Sequence, residues 1–331
     1  MANALVGQYA AALKRHGSLR GAVSKYGLVR LLDIALRAGW EALGMRVLRL
    51  VGRRPNRGYG WFEALLSPTY CYYWFRYAGV IAALKELAPV GEARLIEVAS
   101  GGSGGVAWAL GRQDFGICLV DRSADLLSDT RGRGALRVCA DACWLPFRDN
   151  TFDAAVSLDT VEHLPHTARP IFIEEIKRVV KRGAVITCPL ESADGLFQAR
   201  KPDLRLSAVI AKRNGVQPGW LQEHLQQGHP TRDELLAALP GARVTGSDNC
   251  EAWLRFALLQ HQLFMWLFAG VFYLFFLRKQ DTEPPYRQAL LVWQKQTVAR
   301  DHGTPEVERV AAAESNPIEL GPLESPPLSL R

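Results

Sequence analysis

The sequence lacks the signs of a secreted or disulfide-stabilised protein. Residues 1–17, MANALVGQYAAALKRHG, have neither a basic lead nor the long apolar core of a secretory signal. Only six cysteines are spread over 331 residues, and Cys139 and Cys143 have no second pair at zinc-site spacing. Cys118, Cys139 and Cys188 fall in apolar runs, where a thiol is expected to be buried and reduced. We expect a cytoplasmic protein with free thiols and no metal site.

Acidic residues are scarce near the start of the chain. Residues 1–60 hold eleven Lys and Arg residues against Asp33 and Glu41, so the net charge of +7 originates in this region. The pattern over residues 28–51 is helical, with a kink or a break into two helices expected near Gly39 and Gly44. Its polar stripe comprises Arg30, Asp33, Arg37 and Glu41. Two alternatives remain open: a surface helix packed on the domain, or a basic amphipathic segment on an anionic membrane.

The middle of the chain has the repeating pattern of a parallel α/β sheet. Residues 94–190 alternate short apolar segments with helical ones, which is typical of βαβ units. Five strands are predicted there, RLIEV, GICLVD, ALRVCA, FDAAVSL and GAVITCP, with Gly183 ending the last helix. ARVTGSD and RQALLVWQK predict two more strands. The predicted organisation is a basic helical region at 1–60, a domain at 61–298 and a disordered Pro-rich tail at 299–331.

A glycine-rich loop follows the first predicted strand, and an acid ends the second. The loop lies within LIEVASGGSGG, residues 95–105, and Asp121 follows Glu97 by 24 residues. Glycines let a ligand approach the bare backbone, because no Cβ stands in the way. An acid at the end of the second strand accepts both hydroxyls of a ribose. These residues alone indicate an adenosine-containing ligand, either a dinucleotide or an adenosyl cofactor.

The next segment of the sequence distinguishes between a dinucleotide and an adenosyl cofactor. Residues 137–165, RVCADACWLPFRDNTFDAAVSLDTVEHLP, resemble the class I S-adenosylmethionine-dependent methyltransferases, in the branch typified by ubiquinone- and menaquinone-pathway enzymes. The resemblance implies an α/β fold with a Rossmann-like seven-stranded sheet and helices on both faces. Ala99, Gly101 and Ser103 stand where that family has Gly-x-Gly-x-Gly, and Arg182-Gly183-Ala184 replaces its Pro-Gly-Gly turn. The implied cofactor is S-adenosyl-L-methionine.

The resemblance also implies a set of cofactor-binding residues within 90–190. Asp121 would accept the ribose hydroxyls, with Arg122 beside it. Asp141 would accept from the adenine amino group, Ala142 would give a backbone contact, and Asp159 would edge the methionine site. The methionine end itself would be held by an acid and the loop after it, namely Glu97, Ala99, Ser100, Gly101, Gly102 and Ser103.

Methyl transfer is an in-line displacement, so the protein has to align the acceptor with the methyl group and exclude water. A base is needed only when the acceptor is a hydroxyl or a protonated carbon. His163, just after the fourth strand, is the first candidate for a base or an orienting group, and His224 is the second. The alternative for each is a packing or helix-capping role. A metal at His224 and His229 lacks a convincing third ligand. Residues 191–240 are expected to cover the substrate.

An apolar insert separates the last two predicted strands. It lies within residues 251–280, and its 22-residue run from Phe256 to Leu277 carries no formal charge. A single crossing of a membrane is excluded, because both ends must return to one sheet. We expect a helical hairpin in contact with one leaflet, broken near Gln260–Gln262, with Trp266, Phe268 and Phe272 providing apolar contact and Arg255, Arg278 and Lys279 flanking it. A homodimer interface or a buried helix pair remains the alternative.

The leading functional hypothesis is methyl transfer to a small, lipid- or glycan-linked acceptor at the cytoplasmic face of the membrane. The alternative is a non-catalytic module that binds the cofactor or a partner. Nucleic acid is not an expected partner, because LDTVEHLP stands where base methyltransferases have an Asn-Pro-Pro-Tyr-type motif. The acceptor atom is not indicated by the sequence.

Overall fold

The structure is a computed structural model that describes residues 28–50, 61–88, 91, 93–101, 106, 116–127, 135–214 and 217–296. The predicted tail at 299–331 and the remainder of the basic region lie outside these residues. In chain order the elements are α1 (Leu28–Leu50), α2 (Trp61–Leu66), α3 (Pro68–Leu87), β1 (Arg94–Val98), β2 (Gly116–Asp121), α4 (Ala124–Leu127), β3 (Leu136–Cys139), β4 (Phe152–Leu158), α5 (Ala168–Val179), β5 (Val180–Pro189), α6 (Arg200–Asn214), α7 (Gly219–Gln227), α8 (Arg232–Ala238), β6 (Arg243–Asn249), α9 (Cys250–Gln260), α10 (Trp266–Phe272) and β7 (Tyr286–Gln294).

The described strands form one seven-stranded sheet in the order β3-β2-β1-β4-β5-β7-β6. The first five strands are parallel, whereas β7 runs antiparallel to both of its neighbours, β5 and β6. The predicted Rossmann-like seven-stranded sheet is therefore confirmed. Because parallel strands end at the same edge, the loops after β1, β2, β3 and β4 lie along one side of the domain. Among the described residues, that edge carries the cofactor residues predicted from the sequence.

Both faces of the sheet are covered by helices, which explains the nearly continuous apolar strands. On one face, Leu95 of β1 packs in a cluster with Val80 and Leu84 of α3. On the other face, its neighbour Ile96 packs in a cluster with Phe172 and Ile176 of α5. Successive strand residues point to opposite faces, so both neighbours are buried.

Two local predictions near the sheet are wrong. Gly183 does not end the helix before β5, because α5 ends at Val179 and the strand begins at the next residue. A Cβ on Gly183 would lie 2.1 Å from the Trp293 carbonyl oxygen, so a glycine is required by the close approach of β7. Cys139 is exposed, because β3 is an edge strand, whereas Cys118 and Cys188 are buried.

Helix α1 turns three residues of its predicted polar stripe, Asp33, Arg37 and Glu41, toward the protein. Arg37 and Glu41 are buried. The Arg37 Nη1 group donates to the Gln260 carbonyl oxygen at 2.8 Å, and Ser67 Oγ donates to Glu41 Oε2 at 2.9 Å. The outward-facing residues described on α1 include four apolar ones, Val29, Leu32, Leu36 and Leu43, each more than half exposed. A water-soluble surface helix has the opposite arrangement.

Of the two expected alternatives for α1, a kink or two separate helices, the second is wrong, because the helix is continuous from Leu28 to Leu50. The two glycines that suggested a break have different surroundings. A Cβ on Gly39 would meet nothing within 4 Å, whereas a Cβ on Gly44 would lie 1.9 Å from the Leu66 carbonyl oxygen. Gly44 therefore permits close packing of α1 on α2, and it does not interrupt the helix.

The apolar insert folds as two short α-helices, the second of which continues into a π-helical turn, Tyr273–Leu277, and a 3-10 turn, Arg278–Thr282. Helix α9 ends at Gln260, and α10 begins at Trp266, so the chain breaks at the polar Gln260–Gln262 segment. Asp33 Oδ1 of α1 accepts from the Phe264 amide at 2.8 Å and from Trp266 Nε1 at 2.9 Å. Trp266 is buried, contrary to the expectation that it faces a membrane, whereas Phe268 and Phe272 are exposed. Among the helices of the described ranges, none combines the length and apolarity that a membrane crossing requires.

Candidate active site

The loop after β1 leaves the sheet in the left-handed backbone region. Ala99 has a φ of 56° and Gly101 a φ of 60°. The Ser100 amide donates to a carbonyl of β2 at 2.9 Å, which holds the start of the loop against the neighbouring strand. A Cβ on Gly101 would meet no atom of the described residues within 4 Å. Gly102 and Ser103 lie outside the described residues.

Two buried acids fix this loop. Asp121, the last residue of β2, accepts from the Gly101 amide through Oδ2 and from the Ser123 amide through Oδ1, both at 2.9 Å. Glu97 Oε1, on β1, accepts from the Val106 amide at 3.2 Å. Each Asp121 oxygen thus receives one backbone hydrogen bond and retains capacity for another. The loop and the predicted ribose acid hold each other in place.

The residues predicted to meet the adenine lie after β3. Asp141 Oδ1 accepts from the Cys143 amide at 2.8 Å, and the Asp141 carbonyl accepts from the Trp144 amide at 3.0 Å. These bonds close a tight turn that contains Ala142, which is half-buried against the core. Arg122, after β2, is exposed at the same edge. The structure therefore places these three predicted residues on two adjacent turns.

Asp159, directly after β4, is held by cationic and amide groups from two other elements. It has a φ of 52°, and Oδ1 accepts from Arg76 of α3 and, at 2.8 Å, from Gln288 Nε2 of β7. Burial acts to raise the pKa of Asp159, but the charge and hydrogen bond of Arg76 lower it below its ordinary value. The side chain is still 37% exposed. It therefore remains an ionised acceptor that faces the open edge.

The two predicted catalytic histidines meet across a gap between elements. His163 lies in a 3-10 turn, Val161–His163, that follows β4, and His224 lies on α7. Their Nε2 atoms are 3.3 Å apart. His163 Nδ1 is 2.7 Å from Glu223 Oε2, and its side chain is 28% exposed. Sequence reasoning proposed these histidines separately, and the structure brings them together.

A buried carboxylate, Asp203 of α6, organises the inner side of this pair. Its Oδ2 lies 2.9 Å from His224 Nδ1 and 3.1 Å from His229 Nε2, and its Oδ1 accepts from Arg287 Nε at 3.0 Å. Burial acts to raise the pKa of Asp203, but Arg287 and the two histidines lower it below its ordinary value. Burial lowers the pKa of His224 to about 4 despite the hydrogen bond to Asp203. His224 is therefore neutral at physiological pH.

Glu162, next to His163, is fully buried without a hydrogen bond. Among the described residues neither of its carboxylate oxygens has a partner, and Oε1 lies 3.8 Å from His224 Nε2. Burial raises the pKa of Glu162 well above its ordinary value, and the charge of Asp159 adds to this. An orphaned carboxylate is costly to bury, so it marks a place where a cation or a donor is expected.

Two members of this cluster, Glu162 and Asp203, are not predicted from the sequence. Glu162 lies in the 137–165 segment that carries the family resemblance, but nothing in that segment marks it as a buried acid. Asp203 lies in α6, a largely polar helix whose pattern does not indicate a buried acid. Its partners His224 and Arg287 are distant in sequence, so only the tertiary structure brings them together.

Comparisons with known proteins find similarity to methyltransferases. Residues 96–188 match the family model described as a methyltransferase domain. A demethylmenaquinone methyltransferase of Corynebacterium kroppenstedtii is 27% identical over 173 residues, which cover 52% of this chain and 66% of that protein. An uncharacterized protein of Methanocaldococcus jannaschii is 28% identical over 86 residues, or 26% of this chain and 36% of that protein. The matches span less than two thirds of the length of either curated relative.

Among solved structures, similarity is found to a phosphoethanolamine N-methyltransferase of Haemonchus contortus, in complex with phosphomonomethylethanolamine and S-adenosylhomocysteine. The identity is 15%, the TM-score is 0.44, and the match covers 69% of this chain and 57% of the other. The family match at 96–188 contains nearly the whole of β1 to β5 and all the predicted acids at the ends of β2, β3 and β4.

Proposed function

We propose that this chain, which belongs to the class I S-adenosylmethionine-dependent methyltransferases, transfers the methyl group of S-adenosyl-L-methionine to a small acceptor. The observation that carries the proposal is the pair of backbone hydrogen bonds that tie Asp121 to the loop after β1. They hold the carboxylate in place, with acceptor capacity left for two ribose hydroxyls. No atom of the described residues lies within 4 Å of where a Gly101 Cβ would be, so these residues leave room there for the rest of the cofactor.

When bound, S-adenosyl-L-methionine supplies a methyl group that is already activated by the sulfonium. The protein therefore has to orient the acceptor and exclude water. Asp159 and His163 follow β4, which neighbours β1 in the sheet. Helices α6, α7 and α8 follow β5 in sequence, and α7 brings His224 against His163. We place the acceptor at this histidine pair, beside Asp159.

Cofactor binding tests the proposal directly. We expect S-adenosylhomocysteine to bind the purified protein in calorimetry, and Asp121→Ala to weaken that binding by about 1.5–3 kcal/mol, since a hydrogen bond to a charged group is lost. Asp233→Ala, which removes an exposed carboxylate from α8, is the matched control and should bind as the wild type does. No binding to the folded wild type, or equal affinities for both variants, contradicts the assignment.

We further propose that the methyl acceptor is linked to a membrane. Its support is the outward apolar face of α1 together with exposed aromatic residues of the insert, Phe268, Phe272, Phe275 and Phe276. The hydrogen bond from the Phe264 amide to Asp33 brings these two elements into contact. An exposed apolar surface of this kind marks an interaction site. Exposed Arg46 on α1 and the basic sequence around it favour an anionic lipid surface.

The competing hypothesis is a methyltransferase fold that binds the cofactor without catalysis. It is tested by incubating the protein with methyl-labelled cofactor and separate lipid, glycan and small-molecule extracts. If the protein is a catalyst, the wild type transfers label into at least one of these extracts, and the Asp121→Ala variant transfers far less. Retention of cofactor without transfer into any fraction favours the binding module.

A further inference from the structure

The histidine pair directs two lone pairs at one point. His163 Nδ1 faces Glu223 Oε2, and His224 Nδ1 faces Asp203 Oδ2, at 2.7 and 2.9 Å. Ionised carboxylates only accept hydrogen bonds, so each Nδ1 carries its ring proton. In neutral rings both Nε2 atoms are then acceptors, and they lie 3.3 Å apart. Two facing acceptors require a positive species between them.

A third acceptor faces the same point. Glu162 is fully buried, and neither of its oxygens has a hydrogen-bond partner among the described residues. Its Oε1 lies 3.8 Å from His224 Nε2, and one ligand atom each of Glu162, His163 and His224 lies within 4.8 Å of the others. No described hydrogen-bond donor satisfies this carboxylate.

We propose that Glu162, His163 and His224 form a binding site for a divalent transition metal, with zinc as the preferred ion. Two ligand atoms bound at about 2.0–2.1 Å to a tetrahedral zinc lie roughly 3.3 Å apart, which matches the spacing of the two Nε2 atoms. Two imidazoles and one carboxylate are a known catalytic zinc ligand set, and the fourth position is left for water or substrate. The exposed edge of His163 gives access to that position.

The surrounding groups are those that a metal-bound histidine needs. Each ligand histidine directs its other nitrogen at a carboxylate, which fixes the ring and raises its basicity. Asp203 is in turn held by Arg287, and this ion pair explains why Asp203 orients His224 and is not itself a ligand. A rival site formed by Asp203, His224 and His229 would compete with the guanidinium of Arg287 at 3.0 Å.

Metal binding does not depend on the proposed methyl transfer, whereas a catalytic use of the metal does. A metal at this position would bind an acceptor hydroxyl and lower its pKa, so His163 and His224 would act as ligands and not as free bases. The competing occupant is a single proton shared by the two rings. A chelator releases a metal and leaves a shared proton in place, so chelation distinguishes the two occupants.

The test measures zinc binding to protein purified without a histidine tag, in a Cys139→Ser background that removes an exposed thiol. After chelator treatment, competition with a chromophoric chelator should show one zinc site. His163→Ala and Glu162→Gln should each weaken it at least tenfold, and Glu223→Gln by about 10–100-fold, as for loss of an orienting partner. His166→Ala removes an exposed histidine three residues away and should leave the affinity unchanged.

Cobalt substitution gives a second readout, because four-coordinate cobalt absorbs visible light and a shared proton does not. Circular dichroism verifies that each variant is folded, and S-adenosylhomocysteine binding is measured on the same samples. Absence of zinc binding in folded wild type, or equal zinc affinity in His163→Ala, Glu162→Gln and His166→Ala, overturns the metal site. If the metal site is overturned while S-adenosylhomocysteine still binds, the proposed function stands. If zinc binds but S-adenosylhomocysteine does not, the metal site stands and the proposed function is contradicted.

Discussion

Ala99 carries a backbone strain that a single substitution can reveal. Its φ of 56° lies in the left-handed region, which costs an L-residue about 1–2 kcal/mol. We predict that Ala99→Gly raises the free energy of unfolding by about 0.5–1 kcal/mol, after the entropic cost of glycine is subtracted. Ala78→Gly, at an exposed helical position of α3, should lower it by about 1 kcal/mol. Urea denaturation measures both free energies of unfolding. A lower value in both variants would contradict backbone strain at Ala99.

At the residue scale, the site residues that could be predicted are those whose role depends on the sequence immediately around them. Glu97 and Asp121 lie near the ends of β1 and β2, and Asp141 follows β3. These strands were predicted from the sequence, so the common edge of the three acids follows from parallel topology. The roles of Glu162 and Asp203 were not predictable. Their significance depends on partners contributed by α7 and β7, and no local pattern reports such contacts.

At the scale of elements, α1 offers a paired test of helix docking. Gly39→Ala should raise the free energy of unfolding by up to about 1 kcal/mol, because it improves helix propensity in open space. Gly44→Ala should lower it by about 1–3 kcal/mol, because its Cβ overlaps the Leu66 carbonyl oxygen and α1 must shift. Thermal or urea unfolding of both variants gives the sign of each change in the free energy of unfolding. Equal effects would mean that α1 does not pack on α2 as described.

The strands were predicted better than the helices, for a physical reason. RLIEV, GICLVD and FDAAVSL match β1, β2 and β4 residue for residue, because buried parallel strands are short apolar runs between breaks. The beginning of β5 was misjudged, because its polar start continues the helical pattern of α5. The orientation of α1 was not predictable, since a stripe of charges on a helix normally faces water.

At the scale of the whole molecule, the exposed apolar face predicts binding to lipid. Flotation with anionic vesicles should show binding that weakens with salt but persists, since each Lys or Arg near the surface adds about 1 kcal/mol of screenable attraction. Phe268→Ser with Phe275→Ser and Phe276→Ser should reduce the salt-resistant part. Ile171→Ser, which removes an exposed apolar residue from α5, is the control.

The basic region is tested separately. Changing Arg46, Arg49, Arg53 and Arg54 to Gln should reduce the salt-sensitive part of vesicle binding. Failure of the wild type to float at low salt would contradict lipid contact. A stable dimer that the triple Phe→Ser variant converts to a monomer would instead identify the apolar face as a contact between two copies.

The position of β7 has a consequence for biosynthesis. This strand is the last of the sheet to leave the ribosome, yet it lies between β5 and β6. Until it is made, β5 presents an unpaired edge, β6 has no neighbour in the sheet, and the apolar insert between β6 and β7 has already been synthesised. A nascent chain halted before residue 286 therefore exposes both the unpaired, aggregation-prone edge of β5 and the aromatic residues of the insert. Such a chain depends on chaperones until β7 is added, and truncation within β7 should produce aggregates and not a smaller folded domain.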